Sequence, residues 1–291
     1  MRSRSEVRDG GDRASRLWRR VAGLVFWAIP VTAASACASP SYLPPSATPA
    51  LGSHDQILAW HLVRTLGHSA GSYTEGLVFA GERLFESVGW VGQSRLLELQ
   101  PETGAVLHEV RWPSTIGSVP TPPYAEGLAD EDGRLVELSW KNQVALTWNE
   151  QSFARGPDLG YAGEGWGLCF DGKGFWRSDG SANLRRHARG SFAERDGIPV
   201  SLGGESLGGL NELECVGDWV FANVWRTPFA VRIEASTGQV TGVLDFSRLI
   251  EAANATGRES VLNGIAYRSS TKEFYITGKR WPHIYVVKLD G

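Results

Sequence analysis

The chain has only three cysteines and six histidines, and neither set is spaced for a metal site. Cys37 lies in the N-terminal segment, so Cys169 and Cys215 alone cannot make a thiolate zinc site. His54, His61, His68, His108, His187 and His283 show no His-x-x-x-His or paired arrangement. A zinc hydrolase is therefore not expected, nor is any metal or other cofactor. There is no Gly-x-Ser-x-Gly elbow, Walker loop or dinucleotide fingerprint, which leaves serine-hydrolase and nucleotide chemistry without support. Long 3.6-period faces are missing as well, so helical repeats do not fit. Beyond the first forty residues positive charge is outnumbered by negative. The formal charge is −3, the head contributes seven arginines against Glu6, Asp9 and Asp12 (+4), and the remainder stands near −7. That balance argues against nucleic acid or an anionic membrane as a partner.

Residues 1–36 read as an export signal: Arg2 to Arg20 form a basic head, Val21 to Ala34 is mostly apolar, and Ala34-Ser35-Ala36 follows. An apolar run of about 17 residues is short of a comfortable membrane span, although a retained anchor is a competing reading. Cleavage after Ala-Ser-Ala would release a soluble protein. Lipidation of Cys37 would instead tether it, with residues 37–53, rich in proline and serine, as a polyproline-like linker. The expected location is periplasmic or extracellular, with membrane contact only through such an anchor, and a monomer is expected. In an oxidising compartment Cys169 and Cys215 could pair, and a buried thiol at Cys169 is the alternative.

What the chain does have is a phrase repeated five times, in which an acidic or amide residue, usually beside glycine, opens a short apolar strand. The copies are Tyr73-Thr74-Glu75-Gly76-Leu77, Tyr124-Ala125-Glu126-Gly127-Leu128, Glu164-Gly165-Trp166-Gly167-Leu168, Asn211-Glu212-Leu213-Glu214 and Asn263-Gly264-Ile265-Ala266. Steps of 51, 38, 48 and 51 residues between Glu75, Glu126, Glu164, Glu212 and Asn263 match one four-stranded propeller blade. Within each unit, Gly-containing turns such as Asp132-Gly133 and Thr103-Gly104 separate short apolar runs. The fifth unit ends one strand short, and the unassigned run Ile57 to Leu66 can supply it. The predicted fold of residues 54–291 is therefore an all-β five-bladed β-propeller closed by an N-terminal strand in the last blade. A sandwich is the alternative, and the only helical stretch is Phe246 to Ala253.

If the phrase opens the innermost strand and the second strand runs antiparallel, openers and second-strand ends share one rim. That rim would gather Glu75, Glu126, Glu164, Trp166, Asn211, Glu212 and Asn263 with Glu86, Trp140, Trp225, Lys279 and Trp281. Crowded carboxylates cannot all ionise cheaply, so at least one is expected to have a raised pKa. The competing reading of any single acid is structural, as an acceptor for backbone N–H groups between blades.

Several stretches also resemble the plant-type glutaminyl cyclases, or glutamine cyclotransferases. They include Leu84-Phe85-Glu86-Ser87, Leu138-Ser139-Trp140-Lys141, Gly163 to Leu168, Leu210 to Glu214, Ala222-Asn223-Val224-Trp225, Val261 to Ala266 and Thr277 to Pro282, in the family's order over roughly residues 60–289. The resemblance implies a five-bladed propeller, peptides or proteins with N-terminal glutamine as substrates, and conversion of that residue to 5-oxoproline with release of ammonia. It also implies an essential glutamate in the central pocket. Glu86 and Glu126, in adjacent blades, are the catalytic candidates, with interchangeable roles. Lys279 or Asn211 is expected to donate to the amide oxygen, and Asn263 or Glu212 to read the substrate backbone. Trp140, Trp166, Trp225 and Trp281 would wall the glutamine side chain, with Glu75 and Glu164 also at the pocket. Where relatives often carry Thr-Gln-Gly, this chain has Thr74-Glu75-Gly76, which adds a charge. The alternatives are a non-catalytic propeller binding peptide N-termini or glycans, and a small-ring hydrolase such as a lactonase.

Overall fold

Runs of leucine, valine and aromatic residues, each cut off by a turn that glycine can adopt, pair as antiparallel hairpins through the described residues. Gly81, Gly133, Gly172 and Gly217 hold positive φ in the first hairpin turn of four successive sheets. The computed structural model describes residues 56–118 and 120–290. The export segment 1–36, Cys37, the rest of the linker and the domain start before residue 56 lie outside them. No helix among the described residues is long and apolar enough to cross a membrane.

Two strands precede the first blade, β1 (Gln56–Ile57) and β2 (Trp60–Gly67). Blade 1 comprises β3 (Thr74–Ala80), β4 (Arg83–Val88), β5 (Arg95–Leu99) and β6 (Val106–Arg111). Blade 2 comprises β7 (Ala125–Glu131), β8 (Arg134–Ser139), β9 (Val144–Asn149) and β10 (Leu159–Gly160). Blade 3 has β11 (Leu168–Phe170), β12 (Gly174–Arg177), β13 (Asn183–Ala188) and β14 (Glu194–Pro199), followed by a small hairpin of β15 (Ser201–Leu202) and β16 (Glu205–Ser206). Blade 4 has β17 (Leu210–Val216), β18 (Trp219–Val224), β19 (Phe229–Glu234) and β20 (Val240–Asp245). Helix α1 (Ser247–Ala253) leads to blade 5, with β21 (Leu262–Arg268), β22 (Glu273–Gly278) and β23 (His283–Leu289).

The innermost strands pack in sequence, β3 on β7, β7 on β11, β11 on β17, β17 on β21 and β21 on β3, so the five sheets form a ring. β2 pairs antiparallel with β23 as the outermost strand of blade 5. The single run expected over Ile57 to Leu66 is divided, because β1 pairs in parallel with β20 of blade 4. The N-terminal stretch thus ties two blades and covers two sheet edges.

The glycines of the repeated phrase are explained by this ring. A Cβ on Gly76 would stand 2.6 Å from the Leu128 nitrogen, and one on Gly127 would stand 2.5 Å from the Leu168 nitrogen. Each opener thus lies backbone to backbone against the opener of the next blade. In blades 1, 2, 4 and 5 the pairing slips by one residue at the phrase, between Thr74 and Gly76, Ala125 and Leu128, Leu210 and Leu213, and Leu262 and Ile265. A β-bulge re-aims side chains at the edge of a sheet. Here four of them release Glu75, Glu126, Asn211 with Glu212, and Asn263 from the strand alternation.

Polar residues also occupy the layers between blades. The residue of the second strand opposite the first leucine after the phrase is Glu86 in blade 1 and Glu137 in blade 2. Glu137 is fully buried, and the indoles of Trp112 and Trp148 donate to its Oε2 at 2.7 and 2.9 Å. Burial, only partly offset by these donors, pushes its pKa up to about 7. A pKa raised on folding gives stability that is complete below the unfolded value, near 4.5, and lost as pH rises through 7. The loss is roughly 3 kcal/mol for a shift of this size. Glu137→Gln, which stays neutral, is expected to escape it. The melting temperature of the variant relative to the native protein should climb between pH 4.5 and 7 and then level off, and a difference independent of pH would contradict this.

Cys169 and Cys215 form a disulfide with 5.4 Å between Cα atoms, linking the innermost strands of blades 3 and 4 across 46 residues. Closing a loop of that length restricts the unfolded chain by about 3–4 kcal/mol. Replacing both cysteines with serine is expected to lower stability by that order in urea unfolding.

Candidate active site

Tyr73 and Glu75 lie two residues apart at the start of β3, and Tyr124 and Glu126 repeat the spacing at the start of β7. The Tyr124 hydroxyl donates to Glu75 Oε1 at 3.0 Å, and the Lys279 ammonium reaches Oε1 and Oε2 of Glu75 at 2.8 and 2.7 Å. Asn263 Nδ2 donates to the Thr74 carbonyl at 2.9 Å and to Glu75 Oε2 at 3.3 Å. The carboxyls of Glu75 and Glu126 lie close enough for each to influence the other's ionisation. Residues of blades 1, 2 and 5 thus meet in one cluster, with Lys279 held 4.8 Å above the Tyr73 ring. Gly89 makes this possible, since a Cβ there would stand 2.7 Å from Glu75 Cγ and 2.5 Å from the Tyr124 ring.

Burial raises the pKa of Glu75, with the nearby Lys279 opposing the shift. Burial raises Glu126 further, well above the carboxylate range, and the negative charge of Glu75 adds to it. Burial disfavours the Lys279 ammonium, but the charges of Glu75 and Glu126 outweigh it and the pKa is raised. Lys279 and Glu75 thus form a buried ion pair, and Glu126 beside them is biased toward its protonated form.

Glu126 differs from the other acids in being uncommitted. Among the described residues no N–H or O–H group donates to its carboxyl, and it keeps 7% of its surface accessible, against 1% or less for Glu75, Glu86 and Glu212. Glu212 spends both oxygens on backbone N–H groups of other blades, Leu77 at 3.2 Å and Ile265 at 2.8 Å. It is a staple across the ring centre rather than a free acceptor for substrate. Glu86 accepts from Thr74 Oγ1 at 2.7 Å, pairs with His68 Nε2 at 3.0 Å and lies 3.5 Å from Ser72 Oγ. It stands opposite Leu77, inside β4 rather than at its end, and makes no hydrogen bond to Glu75, Glu126 or Lys279 among the described residues.

A second acid sits at the rim. Glu164 Oε2 accepts from the indoles of Trp140 and Trp166 at 2.8 and 3.0 Å, and Lys141 approaches its Oε1 at 3.6 Å. Trp166 meets Trp225 edge to face at 5.5 Å, and Tyr124 meets Trp140 the same way at 5.8 Å. Trp140, Trp166 and Trp225 are all partly accessible, as the wall of a pocket must be. Trp281 is not part of that wall. It is fully buried in the layer between blades 4 and 5, donates to the Ser260 carbonyl, and its ring fills the space above Gly278. The Asn211 side-chain amide makes no hydrogen bond among the described residues, which leaves it free to meet a ligand.

A family model described as glutamine cyclotransferase matches residues 31–289. The chain belongs to the glutamine cyclotransferase family. It is 31% identical over 232 residues to a glutaminyl-peptide cyclotransferase of Arabidopsis thaliana, spanning 78% of this chain and 70% of that protein. It is similar to the crystal structure of Myxococcus xanthus glutaminyl cyclase, with a TM-score of 0.74 and 34% identity over 81% of this chain and 98% of that one.

In this member of the glutamine cyclotransferases, sequence reasoning missed Tyr73 and Tyr124. The signal was present, since both precede an acid by two residues in the repeated phrase. Burial raises the Tyr73 hydroxyl to about 12, and burial followed by the charges of Glu75 and Glu126 raises Tyr124, so both remain hydrogen-bond donors. Tyr73 also reaches Glu259 Oε2 at 3.4 Å, and Glu259 Oε1 accepts from Arg226 at 2.6 Å. The segment between α1 and β21 is thereby fastened to the pocket edge.

Proposed function

We infer that the chain is a glutaminyl-peptide cyclotransferase that converts an N-terminal glutamine to 5-oxoproline and releases ammonia. One observation carries the assignment of the proton shuttle: Glu126 sits against the Lys279–Glu75 pair with its pKa raised well above the carboxylate range by burial and the charge of Glu75, and no N–H or O–H donor among the described residues holds its carboxyl. The neutral α-amine attacks the side-chain amide carbon, and the carbonyl oxygen gathers negative charge. Glu126 delivers its proton to the departing amide nitrogen as that C–N bond breaks, then takes the proton lost by the newly formed ring nitrogen. It ends in the state in which it began, and the products are the lactam and ammonia.

Lys279 has a third N–H beyond the two that face Glu75, and with Asn211 it supports the developing oxyanion. Trp140, Trp166 and Trp225 shield the glutamine side chain from water, which favours attack by the amine over hydrolysis. Glu164 fixes the Trp140 and Trp166 indoles. We further propose export to an oxidising compartment, a reading supported by the disulfide between Cys169 and Cys215. The direct test is incubation of the purified protein with a Gln-initiated peptide. Release of one ammonia, with the matching mass loss and no effect of chelator, is expected. A lactone-hydrolysing activity that chelator abolishes, with no peptide product, would refute the reading.

A further inference from the structure

Beside the pocket, bordering the Tyr73 ring that Lys279 also approaches, lies an open cleft of about 250 Å³ lined by Gly71, Tyr73, Gly89, Trp90, Arg95 and Arg280. Such a volume is below that of a site for a whole small-molecule ligand and suits one side chain. Arg280 is exposed, and its guanidinium stacks on the Trp90 ring at 4.9 Å and near the Tyr73 ring at 5.6 Å. Trp90 and Tyr73 in turn contact each other at 5.0 Å. Stacking fixes the plane of a guanidinium and leaves its N–H edge free. No carboxylate pairs with Arg280 among the described residues. Arg95, on the same cleft, spends Nη1 on the Gln93 carbonyl and is 3.8 Å from Glu109. The charge of Lys279 is met by Glu75, so Arg280 is the uncompensated cation at this edge of the pocket.

We propose that this cleft is a subsite for a carboxylate carried by residue 2, 3 or 4 of the substrate peptide, read by Arg280. The inference rests on the cyclotransferase reading above. The reach follows from geometry. Lys279 Nζ lies 4.8 Å and Arg280 Cζ 5.6 Å from the centre of the same Tyr73 ring, so the two cations are no farther apart than those distances combined. An extended peptide advances about 3.3–3.6 Å per residue, which places the recognised group within three residues of the N-terminal glutamine. The carboxylate can be an aspartate or glutamate side chain, or the C-terminus of a very short peptide.

The test compares ammonia release from amidated Gln-Gly-Gly-Gly with amidated peptides carrying glutamate at position 2, 3 or 4, and with short peptides bearing a free C-terminus, at low ionic strength. At least one acidic peptide should show kcat/KM about tenfold above the neutral one, the ratio expected for one charge-assisted contact. The gain should lie in KM and shrink in high salt. Arg280→Gln should bring the ratio to about one while leaving turnover of the neutral peptide unchanged, and Arg280→Lys should keep part of it. Preference for the glutamate peptides assigns the subsite to a side chain, and preference for free acids alone assigns it to the terminus. Equal rates for neutral and acidic peptides, or a preference that survives in Arg280→Gln, would overturn the subsite while the activity stands. Failure to turn over any of the peptides would remove the cyclotransferase reading and the subsite with it.

Discussion

Glu126→Gln is expected to lower turnover of a Gln-initiated peptide by about three orders of magnitude, within the range of 10²–10⁴ that a positioned acid–base group contributes. The substitution keeps shape and hydrogen-bonding capacity but cannot give up and regain a proton. KM should change little, because the residue acts on the leaving nitrogen rather than holding the substrate. Folding should be preserved, since burial first, and then the charge of Glu75, raise the pKa of this carboxyl well above the carboxylate range, so the neutral amide matches the form the site favours. The same shift sets the pH profile. The rate should fall on the acid side as the substrate amine, near 8 in free peptides, becomes protonated, and on the alkaline side as Glu126 ionises. Glu86→Gln makes the contrast. It weakens the contact with His68 in the layer between blades, so the main effect should be on thermal stability, with a much smaller loss of turnover. Full turnover in Glu126→Gln, measured by ammonia release, would place the shuttle elsewhere.

The blade count and the rim were legible because the repeated phrase carries two physical demands at once. Its glycines are required where neighbouring openers touch backbone to backbone, and its polar residues sit in bulges that turn them inward. Register was less legible. Glu86 reads as the end of a strand, yet β4 continues to Val88, and a position inside the strand faces the layer between blades instead of the bowl. Trp281 follows Lys279 closely, but Arg280 takes a positive φ of 62°, and beyond that turn the indole folds back over Gly278 into the core. Glu212 looked like a pocket acid by its place in the phrase. Only three-dimensional proximity shows that its oxygens are taken by N–H groups of Leu77 and Ile265, which are 135 and 53 residues away. The Arg280 cleft was illegible for a similar reason, since Trp90 and Arg280 come from the first and last blades, far apart in the chain and adjacent only because the ring closes.

Lys279→Met separates the two roles of the buried ion pair. The native ammonium contacts both oxygens of Glu75 and is itself buried. Removing one partner strands the other charge, a cost of about 3–5 kcal/mol for a buried pair. The penalty should grow with pH, because a Glu75 without Lys279 is held protonated by burial at low pH and must ionise unpaired at high pH. The double variant Glu75→Gln with Lys279→Met contains no stranded charge, so most of the lost stability should return. Activity is expected to behave differently. Loss of the cation that faces the developing oxyanion should cost 10²–10³ in turnover, and the double variant should not recover it, since Met donates nothing. Denaturant unfolding at two pH values, combined with steady-state ammonia release, measures both quantities on the same proteins. Recovery of turnover along with stability would mean that neither charge takes part in the chemistry and that the pair serves only to hold the site together. Recovery of stability alone makes the ammonium itself part of the chemistry, with Glu75 serving to orient it.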